Sequence, residues 1–227
     1  MRYMGSKRLL VKHILPIMEK KRGDRSWIEP FVGGANMIDK VTGGVRIGND
    51  INYYLIKLFQ AVQKGWVPPS TVSKELYYEI KNNMQNYDPA LVGFVGFPCS
   101  FGGRWWGGYA AYKEVNYAKS SSRALVKQAP KIRDIEFKCG DYKNLEIPPN
   151  SLIYCDPPYN GTCKYKDSIN SEEFFDWCRT KSKAGHIVYV SEYEAPNDFE
   201  CIFEIEITHF MKTTNKDKQI ERLYKTI

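Results

Sequence analysis

Short apolar runs alternate along the chain with longer stretches in which apolar side chains recur every three or four residues. The short runs predict buried strands at residues 27–29, 45–48, 135–138, 151–155 and 187–191. The longer stretches predict helices at residues 6–20, from residue 36, at 51–65 and from residue 170. The first helix is expected to begin at Ser6 and to end or bend at Pro16. Because strands and helices alternate, we expect an α/β fold, Rossmann-like, with a mainly parallel sheet covered by helices.

Two further segments complete the predicted sheet, and one segment interrupts the alternation. Residues 201–207 and 220–227 have the pattern of strands joined by a polar loop, which predicts an antiparallel edge. Residues 66–88 have the pattern of short helices, and residues 91–112 are rich in glycine and aromatic residues, which favour hairpins or loops. We therefore expect one α/β domain from residues 1–65 and 132–227. Residues 66–131 are expected to form a mostly helical insertion with a hairpin.

The composition is that of a folded domain. The chain has 227 residues, of which 43% are hydrophobic and 26% charged, and this excludes the disordered and collagen-like classes. It has no run near the about 18 apolar residues that a membrane helix needs, and its first residues lack the apolar core of a signal peptide. We therefore expect a cytoplasmic protein. The six cysteines include no C-x-x-C pair, so we expect free thiols and no metal site.

The formal net charge of +7 is unevenly distributed along the chain. Residues 104–133 hold seven basic side chains and one acidic side chain, interleaved with tryptophan and tyrosine. Because cations attract phosphates and flat rings stack on bases, this segment predicts a surface that binds nucleic acid. A solvated basic face over a small aromatic core is the alternative interpretation. The candidate nucleic-acid-binding residues are Arg104, at an expected hairpin tip, and Trp105, Lys113, Lys119, Arg123 and Lys127.

The most informative motif is Asp156-Pro157-Pro158-Tyr159, which directly follows the predicted strand at residues 151–155. In an open α/β sheet, ligands bind beyond the carboxyl ends of the strands. A carboxylate and an aromatic ring in this turn would therefore face the ligand cleft, and the two prolines would make the turn rigid because each fixes φ. The alternative is a turn without a function, since aspartate and proline are common turn residues.

Five motifs of this chain occur in the order in which one enzyme family has them. They are residues 3–7 (Tyr-Met-Gly-Ser-Lys), residues 29–34 (Glu-Pro-Phe-Val-Gly-Gly), Asp50, residues 140–142 (Gly-Asp-Tyr) and the Asp-Pro-Pro-Tyr turn. In these motifs the chain resembles the Dam-type DNA adenine-N6 methyltransferases, the D12 class. The resemblance implies a methyltransferase core that uses S-adenosylmethionine, an adenine flipped out of double-stranded DNA as the substrate, and a target-recognition insertion. It also implies a bacterial, archaeal or phage origin.

One part of the chain departs from the family pattern. The insertion lacks the Asn-Arg and Gly-Leu-Tyr-Arg motifs that Dam-type enzymes usually carry there. The recognition sequence of those enzymes therefore cannot be transferred to this chain.

The resemblance also implies roles for individual residues. Lys7 would pair with the carboxylate of the cofactor with Tyr3 beside it, and Asp50 would accept hydrogen bonds from the ribose. The implied cofactor-binding residues are Tyr3, Lys7, Phe31, Gly33, Gly34, Asp50, Asp141, Tyr142 and Asp156. Taken without the resemblance, the glycine loop lacks the G-x-G-x-x-G spacing of dinucleotide-binding proteins, and Asp50 fits equally well as the N-cap of the next helix.

The chemistry of the implied reaction points to three candidate catalytic residues. The amino nitrogen of adenine is a poor nucleophile because its lone pair is delocalised into the ring. We expect the Asp156 carboxylate and the Pro157 carbonyl to accept its hydrogens, and Tyr159 to stack on the flipped base. Transfer to cytosine N4, methylation of RNA, and binding of DNA without catalysis are alternatives that these residues leave open.

Overall fold

Seven strands in the described part of the chain form one sheet. The structure is a computed structural model that describes residues 1–113, 115–158, 169–208 and 218–227. The strands are β1 (Trp27–Glu29), β2 (Arg46–Asp50), β3 (Ile135–Cys139), β4 (Leu152–Cys155), β5 (Ile187–Glu192), β6 (Phe199–Thr208) and β7 (Lys218–Thr226). Their order is β3-β2-β1-β4-β5-β7-β6, with the first five parallel and β7 antiparallel to both neighbours. The predicted mainly parallel sheet with an antiparallel edge is confirmed.

Helices connect the strands and cover the sheet. The α-helices of the described ranges are α1 (Val11–Arg22), α2 (Tyr53–Gln63), α3 (Lys74–Asn82), α4 (Pro89–Gly96), α5 (Tyr117–Ile132) and α6 (Ser171–Lys183). Asn52, Asn116 and Asn170 cap α2, α5 and α6, because each side chain accepts a backbone N–H three residues further on, at 3.0, 2.8 and 3.1 Å. None of the described helices is both long enough and apolar enough to cross a membrane.

The apolar core lies on both faces of the sheet. Successive strand residues face opposite sides, so Trp27 and Tyr154 belong to the larger core with helices α1 to α5. Ile28 and Ile153, one position along, belong to the second core with α6. This packing leaves the carboxyl ends of the parallel strands at one edge of the sheet, where their loops meet.

The insertion packs directly on helix α2. Residues 66–131 contain α3, α4 and most of α5, and Phe94 of α4 shares the larger core with Phe59 of α2. An antiparallel bridge between Ser100 and Tyr109 closes a hairpin. The mostly helical insertion with a hairpin is confirmed, while the division of the chain into two domains stays a prediction.

The prediction of hairpins or loops throughout residues 91–112 was wrong at its start, where α4 is helical. The Asp88 carboxylate caps this helix by accepting the N–H of Ala90 at 2.9 Å. Its glycines serve packing, since a Cβ atom on Gly93 would lie 2.2 Å from the carbonyl oxygen of Tyr54 on α2. Close approach of two helices explains the glycine-rich pattern that had favoured loops.

The first helix also differs from the prediction. Ser6 caps a short 3-10 helix, Lys7–Leu9, and α1 begins separately at Val11. Pro16 lies inside α1 and does not end it, because the helix continues to Arg22 with Ile14 and Met18 buried on the core side. The helix expected from residue 36 is limited to a single 3-10 turn, Ile38–Lys40.

Candidate active site

Four loops meet at the carboxyl ends of the parallel strands. They are residues 30–34 after β1, 51–52 after β2, 140–142 after β3 and 156–158 after β4. Backbone hydrogen bonds join two of these loops to the end of β2, because the Val32 N–H donates to the Asn49 carbonyl at 2.7 Å and the Gly140 N–H donates to the Asp50 carbonyl at 3.1 Å. The fold therefore brings motifs that are far apart in the sequence to one edge of the sheet.

Asn49 is a structural residue of this edge that the sequence analysis missed. Its side-chain amide donates to the carbonyl of Pro30 at 3.1 Å and to the carbonyl of Gly140 at 2.9 Å. The side chain is buried. The signal in the sequence is an amide in an otherwise buried strand, where a polar group needs fixed partners.

Asp50 accepts two backbone hydrogen bonds. Its Oδ2 accepts the N–H of Gly33 at 3.1 Å, and its Oδ1 accepts the N–H of Asn52 at 2.9 Å. Burial raises the pKa of the Asp50 carboxyl from 3.8 to about 6, although both hydrogen bonds lower it. Asn52, and not Asp50, caps α2, because the Asn52 side chain accepts the N–H of Leu55. The role of Asp50 as a ribose acceptor stays a prediction.

The glycines of the β1 loop are required by the packing of Tyr3. Gly33 has a φ of +46°, and a Cβ atom on it would lie 2.8 Å from Cε1 of Tyr3. A Cβ atom on Gly34 would lie 2.5 Å from the Asn36 amide nitrogen and 2.8 Å from Cβ of Tyr3. The Tyr3 ring stacks on Phe97 with the centroids 5.2 Å apart, so Tyr3 links this loop to the insertion.

Lys7 lies between two carboxylates. Its Nζ is 2.9 Å from Oδ1 of Asp156, which follows β4, and 3.5 Å from Oε2 of Glu221 on β7. Lys7 and Glu221 are buried, and Asp156 is partly exposed. Burial lowers the pKa of Lys7, but the two carboxylates raise it more, so the pKa lies above its ordinary value. The structure thus brings together the predicted residues Lys7 and Asp156, with Pro157 buried beside them.

Glu221 was missed by the sequence analysis, although the strand pattern contains a signal. Alternation along β7 places Glu221 on the same face as Leu223, which is fully buried. A carboxylate on the core-facing side of a strand needs a buried partner, because an unpaired buried charge is costly.

Two glutamates that interact with Asp156 are weaker acids than usual. Burial raises the pKa of Glu29 well above its ordinary value, and the Trp27 Nε1–H donates to this carboxyl at 2.8 Å. Burial likewise raises the pKa of Glu192 to about 7, with further contributions from the charges of Asp156 and Glu221. Both groups therefore carry less negative charge at a given pH than free glutamates would.

The structure places Asp141 and Tyr142 differently from each other. Asp141 is partly exposed, and its Oδ1 accepts the N–H of Lys143 at 2.9 Å. Tyr142 is buried, with its ring centroid 5.0 Å from that of Phe31 and 5.3 Å from that of Trp177. Among the described residues, the Tyr142 hydroxyl and the Trp177 Nε1 are buried without a hydrogen-bond partner.

Three of the predicted DNA-binding residues form one exposed row. The α5 basic stripe, which consists of Lys119, Arg123 and Lys127, lies on one face of α5 because its members are four residues apart. Arg104 and Lys113 are also exposed. All five cations are therefore accessible on the insertion, as a phosphate-binding surface requires.

Trp105, in contrast, is packed into the protein. Its ring lies 4.6 Å from that of Phe97 and 5.7 Å from that of Tyr54, between centroids. A Cβ atom on Gly96 would lie 2.2 Å from the Trp105 ring. The insertion thus has both exposed cations and a small aromatic core, as in the alternative interpretation, and a DNA contact of Trp105 stays a prediction.

A groove of about 280 Å³ lies between the N-terminal segment, the hairpin and the start of α5. Arg2 lines it and is held in place, because its Nη2 donates to the carbonyls of Pro98 and Ser100, both at 2.6 Å. The aromatic side chains of Phe101 and Tyr112 also line the groove, and they are 66% and 60% exposed. No motif or pattern of the sequence pointed to Arg2, Phe101 or the groove.

Some predicted positions lie outside the described residues. Tyr159, the third candidate catalytic residue, is one of them. Within the described ranges, no group of three or more histidine, cysteine, aspartate or glutamate side chains is placed to hold a metal ion.

Comparisons with known proteins place this chain in a family. The profile described as D12 class N6 adenine-specific DNA methyltransferase matches residues 3–91 and 105–221. The Type II methyltransferase M.FokI of Planomicrobium okeanokoites is 22% identical over 210 residues, which cover 78% of this chain and 31% of that relative. The chain therefore spans less than a third of the length of this relative.

Solved structures show a weaker similarity. TrmN from Thermus thermophilus has a TM-score of 0.43 at 9% identity, over 97% of this chain and 49% of that chain. The 23S rRNA methyltransferase ErmE has a TM-score of 0.42 at 12% identity, over 98% of this chain and 69% of that chain. Similarity at this level supports no conclusion about function. Because the family profile covers most of its length, however, this chain belongs to the D12 class N6 adenine-specific DNA methyltransferases.

Proposed function

We propose that this protein transfers a methyl group from S-adenosylmethionine to N6 of an adenine at specific sites in double-stranded DNA. The observation that carries the proposal is the Asp156 carboxylate, which directly follows β4 and is held by the buried Lys7 at 2.9 Å. Ligands of open α/β sheets bind at this edge. A fixed carboxylate there is suited to bind an exocyclic amino group.

The residues at this edge fit the cofactor. The backbone carbonyl of Asp50 accepts the N–H of Gly140 at 3.1 Å, and the α-carbon of Gly140 faces open space. The hydroxyl of Tyr142 and the indole N–H of Trp177 are buried donors without described partners, which an acceptor-bearing ligand would satisfy. We infer that Asp50, Asp141 and the loop of residues 30–34 hold the nucleoside. The pairing of Lys7 with the cofactor carboxylate stays a prediction, since in this structure Lys7 pairs with Asp156 and Glu221.

The bound cofactor supplies an activated methyl group, so the main task of the protein is to present the amino nitrogen of the base. Asp156 and the Pro157 carbonyl accept hydrogen bonds from that amino group and help to localise its lone pair. As positive charge develops on the nitrogen, the Asp156 carboxylate stabilises it electrostatically. Lys7 restricts the orientation of this carboxylate through its contact with Oδ1. Tyr159 is proposed to stack on the base.

The target base must leave the duplex to reach this edge of the sheet, because a stacked amino group is inaccessible. We infer that the α5 basic stripe, Arg104 and Lys113 bind the phosphates of the duplex. The groove at Arg2 adds exposed aromatic rings, which stack on unpaired bases irrespective of their identity. These features together support the insertion as the DNA-binding surface.

One experiment tests the reaction and its alternatives. The protein is incubated with labelled S-adenosylmethionine and genomic DNA, and both the modified base and its flanking sequence are identified. We expect N6-methyladenine in a fixed sequence context. N4-methylcytosine would support the alternative target base, and DNA binding without incorporation of label would support a non-catalytic DNA-binding protein.

A variant tests the role of Asp156. Asp156→Ala should lower the methylation rate at least about 100-fold, since loss of one charged contact to the reacting group has effects of this size. Cofactor binding should stay close to that of wild type. Asp24→Ala, which removes an exposed aspartate, is the matched control. A rate within about tenfold of wild type for Asp156→Ala would remove Asp156 from the mechanism.

A further inference from the structure

The Lys7 ammonium connects two strands that are not neighbours. Asp156 follows β4 and Glu221 lies on β7, and β5 separates these strands in the sheet. Two strand spacings amount to about 10 Å. The two carboxylates nevertheless converge on one nitrogen, at 2.9 and 3.5 Å. Lys7 reaches this point from the 3-10 helix Lys7–Leu9.

Because Lys7 and Glu221 are buried, their ion pair limits the orientations of the Lys7 ammonium. Lys7 and Glu221 are each only 7% exposed, so water provides little alternative solvation for either charge. The two carboxylates keep the pKa of Lys7 above its ordinary value in spite of the burial. An ammonium that binds two buried or partly buried carboxylates has fewer orientations than one bound to a single carboxylate at the surface.

The two other nearby carboxyl groups accept hydrogen bonds from residues other than Lys7. Glu29 accepts a hydrogen bond from its neighbour Trp27, and burial raises its pKa well above the ordinary value. Glu192 accepts the N–H of Tyr193 at 2.9 Å, and its pKa is raised to about 7. Glu221 is therefore, among the described residues, the second carboxylate that forms an ion pair with Lys7.

We propose that Glu221 is a positioning residue that holds the Lys7 ammonium beside Asp156 and so keeps the Asp156 carboxylate in one orientation for the amino group of the substrate base. The effect on the reaction rests on the proposed function, whereas the effect on Lys7 does not. Glu221 acts through Lys7 and does not itself contact the substrate.

The first test measures Lys7 directly, in protein that contains isotope-labelled lysine. The Lys7 resonance is identified by its loss in Lys7→Gln. In Glu221→Gln we expect Lys7 to titrate at a lower pH than in wild type, because one of the carboxylates that raise its pKa is gone. Other titratable groups interact with Asp156 or Glu221, namely Tyr154, Glu29, Glu192 and Tyr193. Wild type and Glu221→Gln both contain these four groups, so the two proteins differ only at Glu221. An unchanged Lys7 titration would overturn the proposal.

The second test is a double-mutant cycle on the methylation rate. Glu221→Gln should lower kcat about 10- to 100-fold, as small misplacements of a reacting group do, while DNA affinity stays within about twofold of wild type. In the Lys7→Gln background, Glu221→Gln should have no further effect on kcat, since Glu221 acts through Lys7. An equal loss of kcat in both backgrounds would contradict the proposal, because a merely structural role gives additive effects.

A matched control and a second variant complete the design. Glu204→Gln makes the same chemical change on the adjacent strand β6, in an exposed ion pair with Arg222, and should leave kcat and the Lys7 titration unchanged. If Glu221→Gln does not fold, Glu221→Asp shortens the side chain while keeping its charge and should shift both measurements in the same direction by a smaller amount. Absence of methylation by the wild-type protein would refute the proposed function alone, and the Lys7 titration would still decide the role of Glu221.

Discussion

The raised pKa of Asp50 predicts that the stability of the protein depends on pH. Burial raises the pKa of its carboxyl from 3.8 to about 6. An acid whose pKa is higher in the folded state binds protons more tightly when folded, so stability is lost as the pH rises from about 4 to about 6. A difference of two pKa units corresponds to about 3 kcal/mol of destabilisation by the ionised carboxyl at neutral pH. Because Asp50 is partly exposed, this value is an upper bound.

Replacement by asparagine removes the charge and keeps the shape. Asp50→Asn should therefore relieve the cost of burying a carboxylate. The amide has one oxygen, so only one of the two N–H groups that Asp50 accepts, those of Gly33 and Asn52, retains its partner. The lost hydrogen bond costs about 1 kcal/mol. We expect a net stabilisation of about 1–2 kcal/mol at pH 8, together with weaker cofactor binding if Asp50 binds the ribose.

Urea unfolding of wild type and Asp50→Asn at pH 8 and pH 5 measures this effect. At pH 5 the folded wild type is mostly protonated at Asp50, so the advantage of the variant should shrink by about 1 kcal/mol. Asp24→Asn, at an exposed position, controls for the general loss of a negative charge. A stability difference between Asp50→Asn and wild type that is the same at both pH values would refute the reasoning.

Two further predictions concern the DNA-binding surface. Replacing the three residues of the α5 basic stripe by glutamine should reduce the slope of log affinity against log salt concentration by about 2–3, as measured by titration of a duplex at several salt concentrations. An unchanged slope would exclude this face as a phosphate-binding surface. Phe101→Ala should weaken DNA binding by about 1–3 kcal/mol through loss of base stacking, with an unchanged thermal midpoint because the ring is 66% exposed. A drop in the midpoint without a loss of affinity would indicate a purely structural role.

The sequence predicted the fold better than the contacts within the site. The strands and the helices at residues 51–65 and from residue 170 could be predicted because periodicity and capping are local properties of the chain. The prediction failed where a local signal had a tertiary cause. Gly93 appeared to favour a loop, but it is helical and permits close contact with α2.

The candidate site shows the same division. The motifs at Lys7, Asp50 and Asp156 were found in the sequence, and the fold places the 3-10 helix that contains Lys7 against Asp156 at the end of β4. The sequence did not indicate that Asn49 would join two loops or that Tyr142 would be buried among other rings.

By itself, the sequence determined the alternation of strands and helices, the antiparallel edge, the order of the family motifs and the concentration of positive charge in the insertion. These features depend on residues that are close together in the chain. Only the tertiary structure decided that Glu221 shares Lys7 with Asp156, that Asn49 joins two loops, and that Phe101 lines an open groove. Such contacts join segments up to about two hundred residues apart, and they depend on how side chains pack across the assembled sheet.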